Sequence, residues 1–152
     1  MSLIPVDKTS LLVENKASME NWELFIENAA SAIKKDLKDE SKIYKLKLAY
    51  EELISNIIRA AQERNEGDIV SLAISCAVTD QNGGKFFTLQ TEDDGVPFDP
   101  GFNTTDSVNV EQHIDEREIG GLGIFLIKQS VDLAHYGWRE GKNINQISMR
   151  IE

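Results

Sequence analysis

The 152-residue sequence contains one cysteine, two histidines and no long apolar segment. Because Cys76 has no second cysteine to pair with, a disulfide within the chain is excluded, and we expect Cys76 to be a buried small hydrophobic residue in a reducing compartment. Without an apolar run of about 18 residues, a transmembrane helix is excluded. Residues 1–7 carry neither the basic nor the apolar region of a signal peptide, so we expect a cytoplasmic protein without membrane contact.

Positive charge and metal-binding patterns are also scarce. The chain has 16 Lys and Arg residues against 26 Asp and Glu residues, a net charge of −10. The lack of a basic surface to replace phosphate counterions argues against a general nucleic-acid binder. The few histidine and cysteine residues have no zinc-ligand spacing, which argues against a metal site at His113. The sequence has no Walker A loop, and Gly121-Leu122-Gly123 lacks the third glycine of a Rossmann fingerprint.

The apolar periodicity predicts three helices and five strands within one domain, residues 1–152. The helices are expected from Ser18, a candidate N-cap, to Leu37, over residues 42–64 with Ser41 as a possible cap and Gly67 as a stop, and over about 121–132. The strands are expected at residues 11–13, 70–78, 85–91, 134–139 and 147–151. Asn82-Gly83 supplies one hairpin turn, and residues 140–143 supply another. This order predicts an α+β fold with an antiparallel-leaning sheet and helices on one face.

Two polar residues on the second predicted helix form the first candidate site. Glu52 and Asn56 are four residues apart, so they share one face beside the apolar stripe. The amide oxygen of Asn56 could bind Mg²⁺, which accepts few protein ligands when phosphates and waters complete its shell. Glu52 could then act as a general base or orient an attacking hydroxyl. The same pair also suits a hydrogen-bonded network at the edge of the core.

An acidic bend, residues 93–100, ends the third predicted strand. Asp93 offers a carboxylate acceptor for an exocyclic amine such as adenine N6, and Gly95 would let a flat ring approach the backbone. The residues of this bend are equally typical of a β-turn. The polar residues 101–119 follow, and so long a loop in a compact domain is usually functional or mobile.

Glycines then open the third predicted helix. Gly120, Gly121 and Gly123 would leave backbone N–H groups bare at a helix N-terminus, where they and the helix dipole favour phosphate. A Gly-Gly helix start also occurs for packing reasons alone. Each motif is therefore ambiguous by itself, and their order carries the information.

In that order, the motifs resemble the N, G1 and G2 boxes of the GHKL ATPase superfamily. The finer details, at residues 51–56, 94–100, 120–126 and 139–143, look like the bacterial anti-sigma factor serine kinases. The resemblance runs from about Leu11 to Ile151. It implies a two-layer α/β sandwich, with a mixed, mostly antiparallel sheet and an ATP lid at about residues 101–119. It also implies ATP and Mg²⁺ as cofactors.

The resemblance implies a role for each candidate residue. Glu52 would be the catalytic carboxylate, Asn56 the Mg²⁺ ligand and Asp93 the adenine reader. The implied nucleotide-binding set is Asn56, Asp93, Gly95, the lid residue Arg117, Gly120, Gly121, Gly123 and Asn143. Two departures stand out, since Ala60 replaces a polar His or Asn of many relatives and Asn143 replaces a Thr.

The implied function is that of a protein-serine kinase that phosphorylates a small anti-sigma antagonist and switches partners with a sigma factor. Members of that family commonly form homodimers. Because of Ala60, a nucleotide-dependent binding module without catalysis is an alternative. A stand-alone histidine-kinase-type catalytic domain is a further one, although both histidines lie downstream of the Asn56 box.

Overall fold

Three helices and five strands make up the part of the chain that the structure, a computed structural model, describes, namely residues 3–6, 10–64, 67–81, 83–102 and 121–151. The helices are α1 (Trp22–Asp36), α2 (Glu40–Arg64) and α3 (Gly121–Ser130). The strands are β1 (Leu11–Lys16), β2 (Ser71–Gln81), β3 (Gly84–Asp93), β4 (Leu133–Arg139) and β5 (Lys142–Arg150). The α+β fold class predicted from the sequence is confirmed.

The five strands form one sheet in the order β1-β2-β3-β5-β4. A mixed sheet was implied, and each of the four pairings described is antiparallel. In the β2–β3 hairpin, Gln81 pairs with Gly84, and Gly83 has φ of +76°. These features fit the predicted hairpin turn, of which Gly83 is described and Asn82 lies outside the described residues.

The second hairpin turn is shorter than predicted. Arg139 pairs with Lys142, and the two residues between them, Glu140 and Gly141, have φ of +54° and +76°. Positive φ at both positions completes the turn in two residues. Lys142 and Asn143 therefore lie in β5, not in the turn, which places the side chain of Asn143 on a face of the sheet.

The helix ends also differ slightly from prediction. Helix α2 begins at Glu40 rather than residue 42, because Asp39 Oδ1 accepts from the backbone N of Ser41 at 2.9 Å and of Lys42 at 3.2 Å. Asp39, not Ser41, satisfies these unpaired donors. Ser18 caps the short 3-10 turn at residues 19–21 that precedes α1, and its Oγ accepts from Glu20 N at 3.4 Å.

The core lies between the helices and one face of the sheet. Strand residues in register on that face are buried, since Leu72, Ile74, Phe87, Leu89 and Ile147 are all 0% exposed. Alternate residues of a strand share a face. The same face therefore continues, at one end of β3 and β5, into the polar residues 91, 93, 143 and 145.

Cys76 lies near the margin of this core and is half-buried, less than predicted. It interacts electrostatically with Asp36 and Lys35 at the end of α1, where the helix layer stops. Burial, followed by the Asp36 carboxylate, raises the pKa of the Cys76 thiol.

Among the described helices, none is long and apolar enough to cross a bilayer.

A buried hydrogen bond joins the two long helices. Tyr50, 1% exposed on α2, donates from its hydroxyl to the backbone oxygen of Phe25 on α1 at 2.9 Å. Tyr50→Phe should lower the free energy of unfolding by about 1 kcal/mol, because this bond has no replacement in the core. Denaturant unfolding measures the change.

Tyr44 provides the matched control, since it is on the same helix and 69% exposed. Tyr44→Phe should change the free energy of unfolding by less than about 0.5 kcal/mol. Equal effects of the two substitutions would show that the Tyr50 hydroxyl does not tie α1 to α2.

Candidate functional site

The contact between α2 and the first turn of α3 forms one end of the site. A methyl group built on Gly123 would lie 2.8 Å from Glu52 Oε2 and 3.3 Å from Asn56 Nδ2. Any side chain at position 123 would therefore displace both polar groups. The structure brings together Glu52 and Asn56 of one predicted motif and Gly123 of another, near the N-terminus of α3.

Asp93 forms the other end, where β3 stops. Its carboxylate is 7% exposed, and Oδ1 accepts from Gly95 N at 3.1 Å and from Asn143 Nδ2 at 3.0 Å. Oδ2 has no hydrogen-bond partner within the described ranges. Burial raises the pKa of Asp93, although the hydrogen bonds from Asn143 and Gly95 oppose this rise.

The neighbouring Asp94 has a different environment. It is exposed, and its Oδ1 accepts from the backbone N of Ser71 at 2.8 Å. Its carboxylate thus joins the bend to the start of β2. Of the two adjacent acids, Asp93 is the one that faces the site.

Asn143 holds the bend in place. Its Nδ2 donates to Asp93 Oδ1 and, at 2.9 Å, to the backbone oxygen of Val96. Its Oδ1 accepts from Phe98 N at 2.9 Å and from the Tyr136 hydroxyl at 2.6 Å. Since both ends of the amide are used within the protein, Asn143 positions Asp93 rather than offering a free group to a ligand.

A cavity of about 200 Å³ lies between these two ends. Its lining includes the predicted residues Asn56, Asp93, Gly95 and Asn143, together with Ala60. Glu52 is not among the lining residues and reaches the site beside Gly123. Arg117, Gly120 and most of the predicted lid lie outside the described residues, and Gly121 is the first residue of α3.

The sequence analysis did not identify two arginines that line the cavity. Arg59 donates from Nη1 to Asn56 Oδ1 at 3.2 Å, and the Arg64 guanidinium lies 4.4 Å from the centre of the Phe98 ring. The i, i+3 spacing of Asn56 and Arg59 on one helix could have indicated the first contact. Both arginines bring positive charge to the cavity wall.

The comparison with known families identifies the fold that carries this site. Residues 14–151 match the family described as the histidine kinase-like ATPase domain. The chain belongs to this family. No curated protein matches the chain.

The residues of this histidine kinase-like ATPase domain, which is of the GHKL type, fit the ligands that such domains bind, ATP and typically Mg²⁺. Asp93 Oδ2 is an unpaired acceptor for an amine, and the arginines suit phosphate. A carbonyl oxygen has two lone pairs, so the Arg59 bond leaves one lone pair of Asn56 Oδ1 for a cation.

The metal-ligand set is small. Over the described ranges, no three His, Cys, Asp or Glu side chains are close enough to hold a metal ion by themselves. A single amide oxygen, with phosphate and water as the other ligands, suits Mg²⁺. The coarse function that follows is ATP binding with ATP-dependent kinase or ATPase activity.

The close approach at Gly123 predicts coupling between two substitutions. Gly123→Ala should weaken Mg²⁺-dependent ATP binding, because the added methyl displaces the Glu52 carboxylate and the Asn56 amide. A Glu52→Ala background removes the closer of the two contacts, so the same substitution should cost less there, with a coupling energy of at least about 0.5 kcal/mol. Isothermal titration calorimetry on the four proteins measures this energy. Equal losses in the two backgrounds would contradict the geometry.

We expect Asp93→Asn to have opposite effects on the stability of the unliganded protein and on ATP binding. Asp93→Asn should largely remove the stabilisation of the protein by ATP, since an amide is a weaker acceptor than a carboxylate. The unliganded variant should be at least as stable as the wild type at pH 7, because burial disfavours the ionised carboxylate. Thermal shift with ATP, ADP and GTP, with and without Mg²⁺, measures both.

The stability difference between the wild type and Asp93→Asn should depend on pH with a defined sign. The pKa of Asp93 is raised in the folded state, so its ionisation costs stability above that pKa, and this cost disappears as the pH falls through it. The stability advantage of Asp93→Asn should therefore be constant near pH 7 and shrink as the pH falls through the raised pKa. Asp94→Asn is the control and should leave ATP-induced stabilisation intact. If Asp94→Asn removed as much of this stabilisation as Asp93→Asn, the bend would affect ATP binding only through its negative charge.

Proposed function

We propose that this ATPase domain is an anti-sigma factor protein-serine kinase, which phosphorylates a small antagonist protein and alternates between that antagonist and a sigma factor. The observation that carries the proposal is the position of Glu52. Its carboxylate lies against Gly123 and beside Asn56, at the helix N-terminus that suits phosphate. A base is thus held next to the expected position of the phosphates.

The transfer step uses Glu52 as the general base. Glu52 takes the proton from the hydroxyl of the partner's serine while the serine oxygen attacks the γ-phosphorus of ATP. The bond from the γ-phosphorus to the bridging oxygen breaks, and ADP leaves. When bound, Mg²⁺ neutralises charge on the phosphate oxygens, and the protein contributes mainly by positioning the reacting groups.

Charge and partner chemistry support the same proposal. The described residues place Arg59 and Arg64 on the cavity wall, although the chain as a whole carries a net charge of −10. The positive charge in this site therefore suits phosphate while the rest of the surface repels nucleic acid. We further propose that the protein works as a homodimer, with the sigma factor and the antagonist as alternative protein partners.

The kinase assay uses radiolabelled ATP, Mg²⁺ and a small antagonist-type domain as the acceptor. Glu52→Gln should reduce labelling of the antagonist by about 100-fold or more, because it removes the base but keeps the shape of the side chain. ATP-induced thermal stabilisation should persist in this variant. Glu51→Gln is the control, since it changes a neighbouring carboxylate on another face of α2.

A binding module without catalysis is the second candidate, and Ala60 favours it. Ala60 lines the cavity with a methyl group and so offers no polar contact to a phosphate. Tight ATP binding by the wild type without any labelling would support this candidate. Labelling that Glu52→Gln does not reduce would count against the proposed base.

A stand-alone histidine kinase domain would phosphorylate a separate protein. His135 is 4% exposed, and burial lowers the pKa of its imidazole. A second copy of the domain therefore could not use His135 as its phosphate acceptor. The stability of the labelled product distinguishes the two kinase types. Phosphoserine survives acid, whereas phosphohistidine is lost in it.

A further inference from the structure

Two neighbouring residues of β3 and β5 each have a buried polar atom without a hydrogen-bond partner in the described part of the chain. Thr91 and Asn145 are paired in register and are 0% and 3% exposed. Within the described part of the chain, neither Thr91 Oγ1 nor Asn145 Oδ1 has a hydrogen-bond partner. Because an unsatisfied buried polar group costs about 1–3 kcal/mol, such a group in a native core needs an explanation.

Only one of the two residues lines the cavity. Asn145 is part of the cavity wall, whereas Thr91 is not among the lining residues. Asn145 also lies on the same face of the sheet as Asp93, diagonally across the β3–β5 pairing. Diagonal neighbours are about 7–8 Å apart, close enough for both side chains to reach one small group. The wall thus includes Asn145, whose buried Oδ1 has no partner among the described residues, and Asp93, whose Oδ2 accepts none of the described hydrogen bonds.

We propose that Asn145 is a second adenine-reading residue, which together with Asp93 accepts both protons of the 6-amino group. This inference rests on the proposed ATP binding and deepens it. Asp93 Oδ2 accepts one N–H, and Asn145 Oδ1 accepts the other. The Asn145 amide can also donate from Nδ2 to adenine N7, the two-bond arrangement by which asparagine pairs with adenine.

The same arrangement discriminates against guanine. Guanine carries an acceptor oxygen, O6, where adenine carries its amino group. In this site O6 would face Asp93 and Asn145 Oδ1, which are both acceptors, so neither oxygen would gain a hydrogen bond. The proposed pair therefore selects the base by repelling the wrong one as well as by binding the right one.

Calorimetric titration with two nucleotides tests the proposal directly. ATP is compared with purine riboside triphosphate, which lacks the 6-amino group, on wild type and on Asn145→Leu. Asn145→Leu should weaken ATP binding about tenfold, as expected for the loss of one bidentate contact. Binding of purine riboside triphosphate should change much less, because it has no amino group for Asn145 to read.

Matched variants distinguish an effect on recognition of the 6-amino group from an effect on the stability of the fold. Thr91→Val removes the neighbouring buried hydroxyl, which does not line the cavity, and should leave the ratio of the two affinities unchanged. Asn145→Leu replaces an unsatisfied acceptor with an apolar side chain of similar size, so its melting temperature should not fall. Asn145→Ala serves as a second variant and should show the same loss of preference for the 6-amino group.

The outcomes are distinct. Equal loss of affinity for both nucleotides in the Asn145 variants, or no loss for either, would overturn the inference and leave Asn145 a structural residue. A wild type that binds ATP with an affinity ratio insensitive to Asn145 would overturn this inference alone. A wild type that binds neither nucleotide would overturn both it and the proposed function.

Discussion

The hydrogen bond from Asn143 Nδ2 to the buried carboxylate of Asp93 is the constraint on which the site depends. Burying a carboxylate is costly unless polar groups compensate it, and Asn143 and Gly95 supply that compensation to one oxygen only. The other oxygen is left facing the cavity. By also binding Val96 and Phe98, the Asn143 amide fixes the whole bend around this free oxygen. The Asn143 side chain thus fixes both the bend and the orientation of the Asp93 carboxylate.

The opposite end of the cavity depends on an absent side chain. Helix α3 can begin beside Glu52 and Asn56 only because Gly123 has no Cβ. The carboxylate, the amide and the bare helix start are therefore brought together by close packing of α2 on α3, without a hydrogen bond between them. The Asp93 end of the site is thus built by the sheet, and the Gly123 end is built by the helices.

The sheet carries both the core and the site on one face. Leu72, Leu89 and Ile147 bury that face under the helices, and the same alternation continues into the polar residues 91, 93, 143 and 145. The site is thus the polar end of the hydrophobic core, which gives it rigid walls. The rigidity comes from the strand pairing on both sides, since β3 lies between β2 and β5 in the sheet.

The sequence by itself determined the α+β fold class and the approximate positions of the helices and strands, because these follow from apolar periodicity and turn chemistry. It named Glu52, Asn56, Asp93 and Gly123 as candidates through the order of their motifs, and the structure places these four residues at the two ends of one site. It misplaced Asn143 in a turn and missed Arg59, Tyr136 and Asn145. Only the tertiary structure decided their places, since the contact of Asn143 with Asp93 joins residues 50 positions apart. That contact requires the register between β3 and β5, which no local pattern in either strand encodes.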